Sequence, residues 1–451
     1  MSKIFGTDGI RCLVNQEPLT AETCLKISKS VAYILRNKNS QNSRVVICKD
    51  TRLSGYFYKP LVTAGFISMG MDVILVGPLP TPAVPLMIKT LRADIGVMIT
   101  ASHNTYEYNG LKFFDKEGFK LNSKIEEKVE KIVTNNKKYS KISNQTFMSG
   151  NARRLEDAPG RYSEFLKSTI YRKYPKKKLN IVIDCANGAT YNIAPNLFWE
   201  LGHKITVINN NPDGKNINKN CGAVDTRQLS KTVIHKKADI GFAFDGDGDR
   251  IIVVDEKGIE IDGDKIIALF CKNFIKPKNK PNQFDVIITI MSNLGLEKYL
   301  SKKLKLKIKR TQVGDINVIN QMKKNKSSIG GEQSGHIIMS NYSNSGDGIL
   351  AALKITEIMS KVNSKVSNIF DLYKDYPQKK INLTYKNKSK KLINLLNNLK
   401  KDKSLNNKNI RSLVRISGTE PLVRILVEGQ NKNTVIENSI KIKNLVRPYL
   451  G

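Results

Sequence analysis

The sequence is short of histidine, tryptophan and cysteine. Four histidines and one tryptophan stand among 451 residues. The six cysteines (Cys12, Cys24, Cys48, Cys185, Cys221 and Cys271) are scattered, with no Cys-x-x-Cys pair. That spacing argues against a zinc framework and a disulfide scaffold, and predicts reduced, mostly buried thiols. No uninterrupted apolar run is long enough to span a bilayer, so no membrane partner is expected. The opening "MSKIFGTDGIRC" has no apolar h-region and no cleavage site, which predicts a cytoplasmic protein.

Acidic residues are also few. Forty Asp and Glu face 75 Lys and Arg, for a formal net charge of +35. One reading is nucleic-acid binding, since lysines neutralise phosphates. The other is a coding bias toward A and T, because Lys, Asn and Ile are abundant together. The lysines are spread over "YPKKKLN", "KPKNKPN", "KKLKLKIKR" and "KNKSKK" without interleaved aromatics. That spread makes an anionic small substrate, drawn in by a positive field, the better expectation.

A hydrophobic fraction of 40% supports sizeable cores, and the length suits about three or four domains. Short β-branched runs occupy 43–50, 71–77, 93–100, 179–188, 204–209, 238–244 and 285–291. Helix-like segments lie between them, which is the pattern of parallel sheets covered by helices. "ADIG" occurs at 93–96 and again at 238–241, and each copy leads a strand into a polar loop. Ser102 and Asp247 fall at the same offset, nine residues past the first alanine of each copy. "SSIGGEQSGH" (327–336) is a weaker third copy. Three related mixed α/β domains are predicted, each offering one loop at the carboxyl end of a strand, where such sheets place ligands. Lysine-rich stretches near 134–151 and 360–368 are candidate linkers. "RSLVRIS" and "PLVRILVEG" followed by "NKNTVIENSIKIKNLV" predict a small C-terminal α+β domain. The expected boundaries are 1–150, 151–253, 254–368 and 369–451.

Four loops carry chemistry. In "DGDGDR", alternate residues of an extended chain point the same way, so Asp245, Asp247 and Asp249 can converge. Three carboxylates without His or Cys suit a hard divalent cation, Mg²⁺ above all. An EF-hand would need glycine where Arg250 stands, although Glu256 falls at its twelfth position. The alternative is a solvated hairpin turn, in which unpaired carboxylates would repel. In "TASHN", Ser102 and His103 are adjacent, and adjacent side chains of a strand diverge, so a hydrolase pair is a weak reading. Phosphoryl chemistry is the stronger one; a helix N-cap is opposed by the strand-like "NTYEYNGLKFF" that follows. In "RISGTEPLVR", Ser417, Gly418 and Thr419 form either an anion nest flanked by Arg415 and Arg424 or a plain hairpin. In "GGEQSGH", Glu332, Ser334 and His336 alternate on one face, as a sugar-hydroxyl site or as a polar loop. His203 and His235 read as surface residues.

With these loops in this order, the chain resembles the α-D-phosphohexomutase family from "FGTDGIR" to "LVRILVEG" (5–11 to 422–429). "KDTRLSG", "TPAV", "NGLKFF" and "DCANGATY" add to the match. The resemblance implies four domains around a central cleft, with Ser102 as the phosphoserine. It implies one Mg²⁺ per chain on Asp245, Asp247, Asp249 and a phosphate oxygen of Ser102. Glu332, Ser334 and His336 would contact the sugar. Arg415, Ser417, Gly418, Thr419 and Arg424 would hold the phosphate that is not reacting. Arg11, Lys112, Arg250 and His336 would lie near the transferring group, with Lys112 and His336 moving protons. The implied reaction converts glucosamine 6-phosphate to glucosamine 1-phosphate through a sugar 1,6-bisphosphate, on the route to UDP-N-acetylglucosamine. Mannose or glucose phosphates are the alternative substrates, and a homodimer is compatible. Three departures stand out. Thr105 replaces a usual proline, Cys12 a usual glycine, and Ile316 a residue that is commonly basic, which removes one phosphate contact.

Overall fold

The computed structural model describes residues 4–6, 8–36, 43–145, 147–170, 177–276, 283–387, 389–402, 405–406, 410–416 and 421–451. The apolar runs form three sheets of one plan. In the first, β1 (Ile10–Leu13), β2 (Arg44–Lys49), β3 (Asp72–Pro78), β4 (Ile95–Ile99), β5 (Tyr108–Phe114) and β6 (Ala152–Arg154) lie in the order β1-β5-β4-β2-β3-β6. In the second, β7 (Asn180–Asp184), β8 (Lys204–Ile208), β9 (Ile240–Phe244), β10 (Ile251–Asp255) and β11 (Glu260–Ile261) run β11-β10-β9-β7-β8. In the third, β12 (Val286–Thr289), β13 (Ile308–Thr311), β14 (Ile329–Gly331) and β15 (Ile337–Met339) run β13-β12-β14-β15.

The shared plan is a parallel trio with one antiparallel neighbour. β4, β2 and β3 are parallel, as are β9, β7 and β8, and β14, β12 and β13. The strand that begins each "IG" copy then turns back into an antiparallel partner: β4 to β5, β9 to β10, β14 to β15. The Ser102, aspartate and Glu332 loops are these three turns. β4 and β9 are buried along their whole length, which is why they read as unbroken apolar runs.

The repeated glycine has a packing cause. A Cβ on Gly96 would lie 2.5 Å from Ile88 Cδ1 and 2.6 Å from Val84 Cγ1. One on Gly241 would lie 2.7 Å from Val233 Cγ2, and one on Gly330 2.5 Å from Met322 Sδ. In each domain the helix that precedes the strand (Ala83–Leu91, Arg227–His235 and Asp315–Asn325) rests on that glycine. The "ADIG" repeat therefore marks the point of closest approach between helix and sheet.

By contact density the chain forms two units. The larger holds Met1–Met291 with Leu304–Leu372, and the smaller holds Ser292–Lys303 with Tyr373–Gly451. In the smaller unit β16 (Gln378–Thr384), β17 (Ile410–Ile416) and β18 (Leu422–Gly429) form an antiparallel sheet in the order β16-β18-β17. Leu392, Leu396, Val423, Ile425, Val435 and Ile442 fill its core. The Ser292–Lys303 segment, which no sequence pattern had marked, is bound here. Arg411 Nη2 donates to the Ser292 carbonyl at 3.0 Å, and Leu294 N donates to the buried Glu428 carboxylate at 3.3 Å.

Some expectations need correction. The stretch 134–151 is not simply a linker: it contains the helix Asn136–Ser143, whose Ile142 is buried in the first core. The stretch 360–368 includes the start of the short helix Val366–Ile369. β6 extends the first sheet past residue 150, and β10 and β11 extend the second past residue 253. His203 is buried rather than at the surface, because its Nδ1 accepts the Leu179 N–H at 3.3 Å. The six cysteines are free thiols, five of them buried. Among the described residues, no helix is long and apolar enough to cross a membrane.

Adding a methyl group at Gly241 forces Val233 and the helix beneath it to move. We expect Gly241→Ala to destabilise the larger unit by about 1–3 kcal/mol. Adding Val233→Ala should recover part of that loss, so the two effects will be non-additive in urea unfolding.

Candidate active site

β4 ends at Ile99, and the chain then turns. The Thr100 hydroxyl donates to Asp50 at 2.6 Å and accepts the Ser102 N–H at 2.9 Å. Ser102 is fully buried and left-handed, with φ 50°. The expected divergence of Ser102 and His103 fails for this reason: the pair lies in a turn and not a strand, and Ser102 Oγ is 3.5 Å from His103 Nδ1. The histidine is nonetheless a weak base for the hydroxyl, whose shorter contact is elsewhere. Burial, then Arg250 and Arg11, push its pKa down to about 4, and Ser102 Oγ donates to Asp245 Oδ2 at 2.8 Å. No helix follows for Ser102 to cap; β5 does.

The aspartates converge through a turn rather than through strand alternation. Gly248, at φ 69°, donates its N–H to the Asp245 carbonyl at 3.0 Å and folds the loop back. One oxygen from each of Asp245, Asp247 and Asp249 lies within 4.8 Å of the others, and all three residues are buried. Asp247 Oδ2 accepts from Thr81 Oγ1 at 2.6 Å and from Lys112 Nζ at 2.8 Å. Among the described residues, Asp247 Oδ1 and Asp249 Oδ1 accept no hydrogen bond. Buried carboxylate oxygens without a donor, grouped at this spacing, fit a hard divalent cation. Burial first, and then the charges of Asp249 and Asp247, raise the pKa of Asp245 well above the ordinary carboxylate range.

Cations surround this cluster. Lys112, on β5, is buried and pairs with Asp247, with Asp8 at 3.1 Å and with Asp249 at 3.2 Å. Burial opposes its charge, yet these carboxylates raise its pKa well above the ordinary lysine value. Lys112 is thus held protonated and suited to neutralising negative charge. Arg11 donates to Asp8 at 2.7 Å and to Asn104 at 2.9 Å. Arg250 Nε lies 3.9 Å from Asp249, and its backbone N–H donates to Asp245 at 3.1 Å.

The third loop adds His336 and Glu332. Arg250 and His336 form an antiparallel bridge. His336 Nδ1 is 3.6 Å from Asp249 Oδ1, and its Nε2 accepts the Gly346 N–H at 3.2 Å. That contact places the ring proton on Nδ1, facing Asp249. Burial lowers its pKa, but Asp249, Asp315 and Glu332 outweigh it and raise it. Glu332 accepts the Gly314 N–H at 2.9 Å. Ser334 does not share the buried face expected of it. The stretch is a turn around Gly335 (φ 91°), which leaves Ser334 exposed while Glu332 and His336 are buried.

In the smaller unit Arg415 and Arg424 are direct cross-strand partners on β17 and β18. Burial, then the neighbouring Arg424 charge, lowers the pKa of Arg415. Two guanidiniums side by side suit an anion. Ser417, Gly418 and Thr419 lie outside the described residues.

Several site residues carried no sequence signal of their own. Arg52 is fully buried, paired with Asp50 at 2.9 Å, and donates to the Ser102 carbonyl at 2.9 Å. Thr81 and Arg52 sit in strings that had been matched as patterns without a role. Lys120 joins Asp8 to Asp315, 195 residues away, and nothing distinguishes it from other lysines in a lysine-rich chain.

Family models agree with this geometry over most of the chain. The phosphoglucomutase/phosphomannomutase α/β/α domain I matches residues 2–140, domain II 160–258, domain III 262–376, and the C-terminal domain 363–437. The chain belongs to the phosphoglucomutase/phosphomannomutase family. It is similar to curated proteins named phosphoglucosamine mutase. That of Rhodospirillum rubrum is 43% identical over 96% of both chains, and that of Desulfotalea psychrophila is 41% identical over 99% of both. In fold it resembles a phosphoglucomutase/phosphomannomutase family protein of Burkholderia thailandensis, with a TM-score of 0.84 at 21% identity over 99% of this chain and 97% of that one. It also resembles the Aspergillus fumigatus N-acetylphosphoglucosamine mutase solved with GlcNAc-6P and magnesium, with a TM-score of 0.64 at 18% identity over 99% and 96% of the two chains.

The departures from the family pattern fall near this site, and one of them, Ile316, puts an apolar residue where a basic one is common. The Thr105 carbonyl accepts from Arg52, and Cys12 Sγ donates to the Gln16 carbonyl at 3.3 Å. Ile316 lines a water-sized cavity beside Lys112 and Lys120, so an apolar side chain stands where a phosphate contact was expected to be missing.

If the aspartates hold a cation, Mg²⁺ at about a hundred times its Kd should stabilise the larger unit by about 2.7 kcal/mol, raising its melting temperature by several degrees. EDTA should reverse the rise. Asp247→Ala should melt within a few degrees of the metal-free wild type and show no Mg²⁺ increment; a retained increment would move the cation elsewhere.

Proposed function

We infer that the chain interconverts glucosamine 6-phosphate and glucosamine 1-phosphate, with Ser102 as a phosphoserine that lends and recovers the phosphoryl group. The observation that carries this reading is the 2.8 Å contact between Ser102 Oγ and Asp245, inside a cluster of buried carboxylates and cations. A hydrolase would need a base on the hydroxyl; here the hydroxyl faces a metal-type loop. The names of the most similar curated relatives support the amino sugar as substrate.

In this reading the phosphoryl group of Ser102 passes to the C1 hydroxyl, which loses its proton, and a 1,6-bisphosphate results. The sugar turns over, its 6-phosphoryl group returns to Ser102, and the freed C6 oxygen takes a proton. Lys112 and His336 are assigned to the movement of these protons, and Lys112, held protonated, also brings positive charge to the transferring oxygens. Arg11 and Arg250 bring positive charge to the transferring oxygens, where positioning and neutralisation matter most. Asp245, Asp247, Asp249 and the Ser102 phosphate would hold one Mg²⁺, which supplies charge neutralisation at the phosphoryl group when bound. Glu332, Ser334 and His336 are assigned to the sugar hydroxyls. Arg415, Ser417, Gly418, Thr419 and Arg424 are assigned to the phosphate that is not reacting. In this division each of four domains supplies one loop.

Mass spectrometry of the purified chain should localise a phosphate on Ser102. Ser102→Ala should lower turnover by roughly 10³-fold or more while folding normally. Side-by-side assays on glucosamine, glucose and mannose 6-phosphates should give the highest kcat/KM for the amino sugar. A preference for mannose or glucose would reassign the substrate within the family, and a Ser102→Ala variant with wild-type turnover would end the phosphoserine reading.

A further inference from the structure

The Ser102 carbonyl is held twice. Arg52 Nη2 donates to it at 2.9 Å and Asn218 Nδ2 at 2.8 Å. The same two side chains reach the Asn104 carbonyl, each at 2.8 Å. Arg52 is local to the first sheet. Asn218 lies 116 residues beyond Ser102, in the connection from β8 to β9, the part of the chain that also leads to Asp245. It is buried and left-handed, with φ 56°, and its own N–H donates to the Ala186 carbonyl at 2.9 Å. The second domain thus presents the amide from a fixed loop.

The metal loop packs on the same point. A Cβ on Gly246 would lie 2.6 Å from Asn218 Nδ2 and 2.7 Å from the Ser102 carbonyl oxygen. Only a glycine between Asp245 and Asp247 allows the amide, the nucleophile's backbone and the aspartate loop to meet. Ser102 needs such support. A left-handed backbone is unfavourable for a residue with a Cβ, and it persists where the surroundings over-determine it.

We propose that Asn218 is a positioning residue for the Ser102 nucleophile, setting its turn in register with Asp245. The inference rests on the phosphoserine reading above. Asn218 acts through the backbone of Ser102 and Asn104, and its amide hydrogens are both spent there. Its loss should therefore misalign the transferring group without touching the grip on the sugar.

Two variants test this. Asn218→Gly keeps a backbone that accepts positive φ and deletes the amide. Asn218→Asp keeps the shape and removes both N–H donors. Each is assayed per folded enzyme, on whichever of glucosamine, glucose or mannose 6-phosphate the wild type converts fastest. We expect kcat to fall about 10–100-fold with KM within about threefold of wild type, and the Mg²⁺ stabilisation to persist. If Asn218→Gly melts below the assay temperature, Asn218→Asp carries the same reading. A kcat within about twofold of wild type in a folded variant, or a loss carried by KM alone, overturns the inference and leaves the mutase reading standing. A wild type inactive on all three sugars removes the mutase reading and this inference together.

Discussion

The arrangement depends on charge balance in a buried place. Asp8, Asp245, Asp247, Asp249, Asp315 and Glu332 face Arg11, Lys112, Lys120 and Arg250. Six carboxylates against four permanent cations leave an excess of two negative charges, which a single divalent cation offsets. Without one, the excess favours protonation of a neighbouring group: burial and its aspartate neighbours push Asp245 that way, and Asp249, Asp315 and Glu332 push His336. The cation and the fold of the loop are therefore one problem, because removing water from like charges is costly unless each is paired. Incoming phosphate adds negative charge again. That charge is met locally by the arginines and, at longer range, by a chain with a surplus of positive charge.

The three-fold plan explains how such a cluster is assembled from distant parts of the chain. In each sheet the outer strand of the parallel trio ends in a turn, and each turn delivers a different group: a hydroxyl, carboxylates, then an imidazole and a carboxylate. The glycine that seats the preceding helix is the part the copies share. Packing is thus repeated and chemistry is not. A repeated seat fixes where each strand ends, and the residues beyond it are free to differ.

That separation governs what was legible. The strands, the repeat and the aspartate trio could be read from local strings, because apolar alternation and closely spaced carboxylates are local properties. The backbone turns were not. Ser102 and the "DGDGDR" loop were read as extended, whereas left-handed residues at Ser102 and Gly248 bend both and bring His103 near the hydroxyl; a left-handed Gly335 likewise leaves Ser334 exposed in the third loop. Pairings across long separations were equally hidden. Nothing in the sequence joins Lys120 to Asp315, or binds Ser292–Lys303 into the unit formed by the C-terminal sheet. His203 was misplaced because one histidine near a turn looks the same whether its ring accepts a buried N–H or faces water.

The two units divide the labour in a way the chemistry makes intelligible. Ser102, the aspartates, Lys112 and His336 all belong to the larger unit, so the proposed transfer centre is built within one body. The Arg415–Arg424 pair belongs to the smaller unit, on a sheet with its own core. The proposed reaction, which holds one sugar in two orientations, needs a transfer centre that stays preorganised and a phosphate grip that need not be part of it. Preorganisation is what buried, hydrogen-bonded groups provide, because their dipoles do no reorienting when charge moves. The buried cluster and the arginine pair proposed as a phosphate grip lie in separate bodies, so the preorganisation of the first does not depend on the packing of the second.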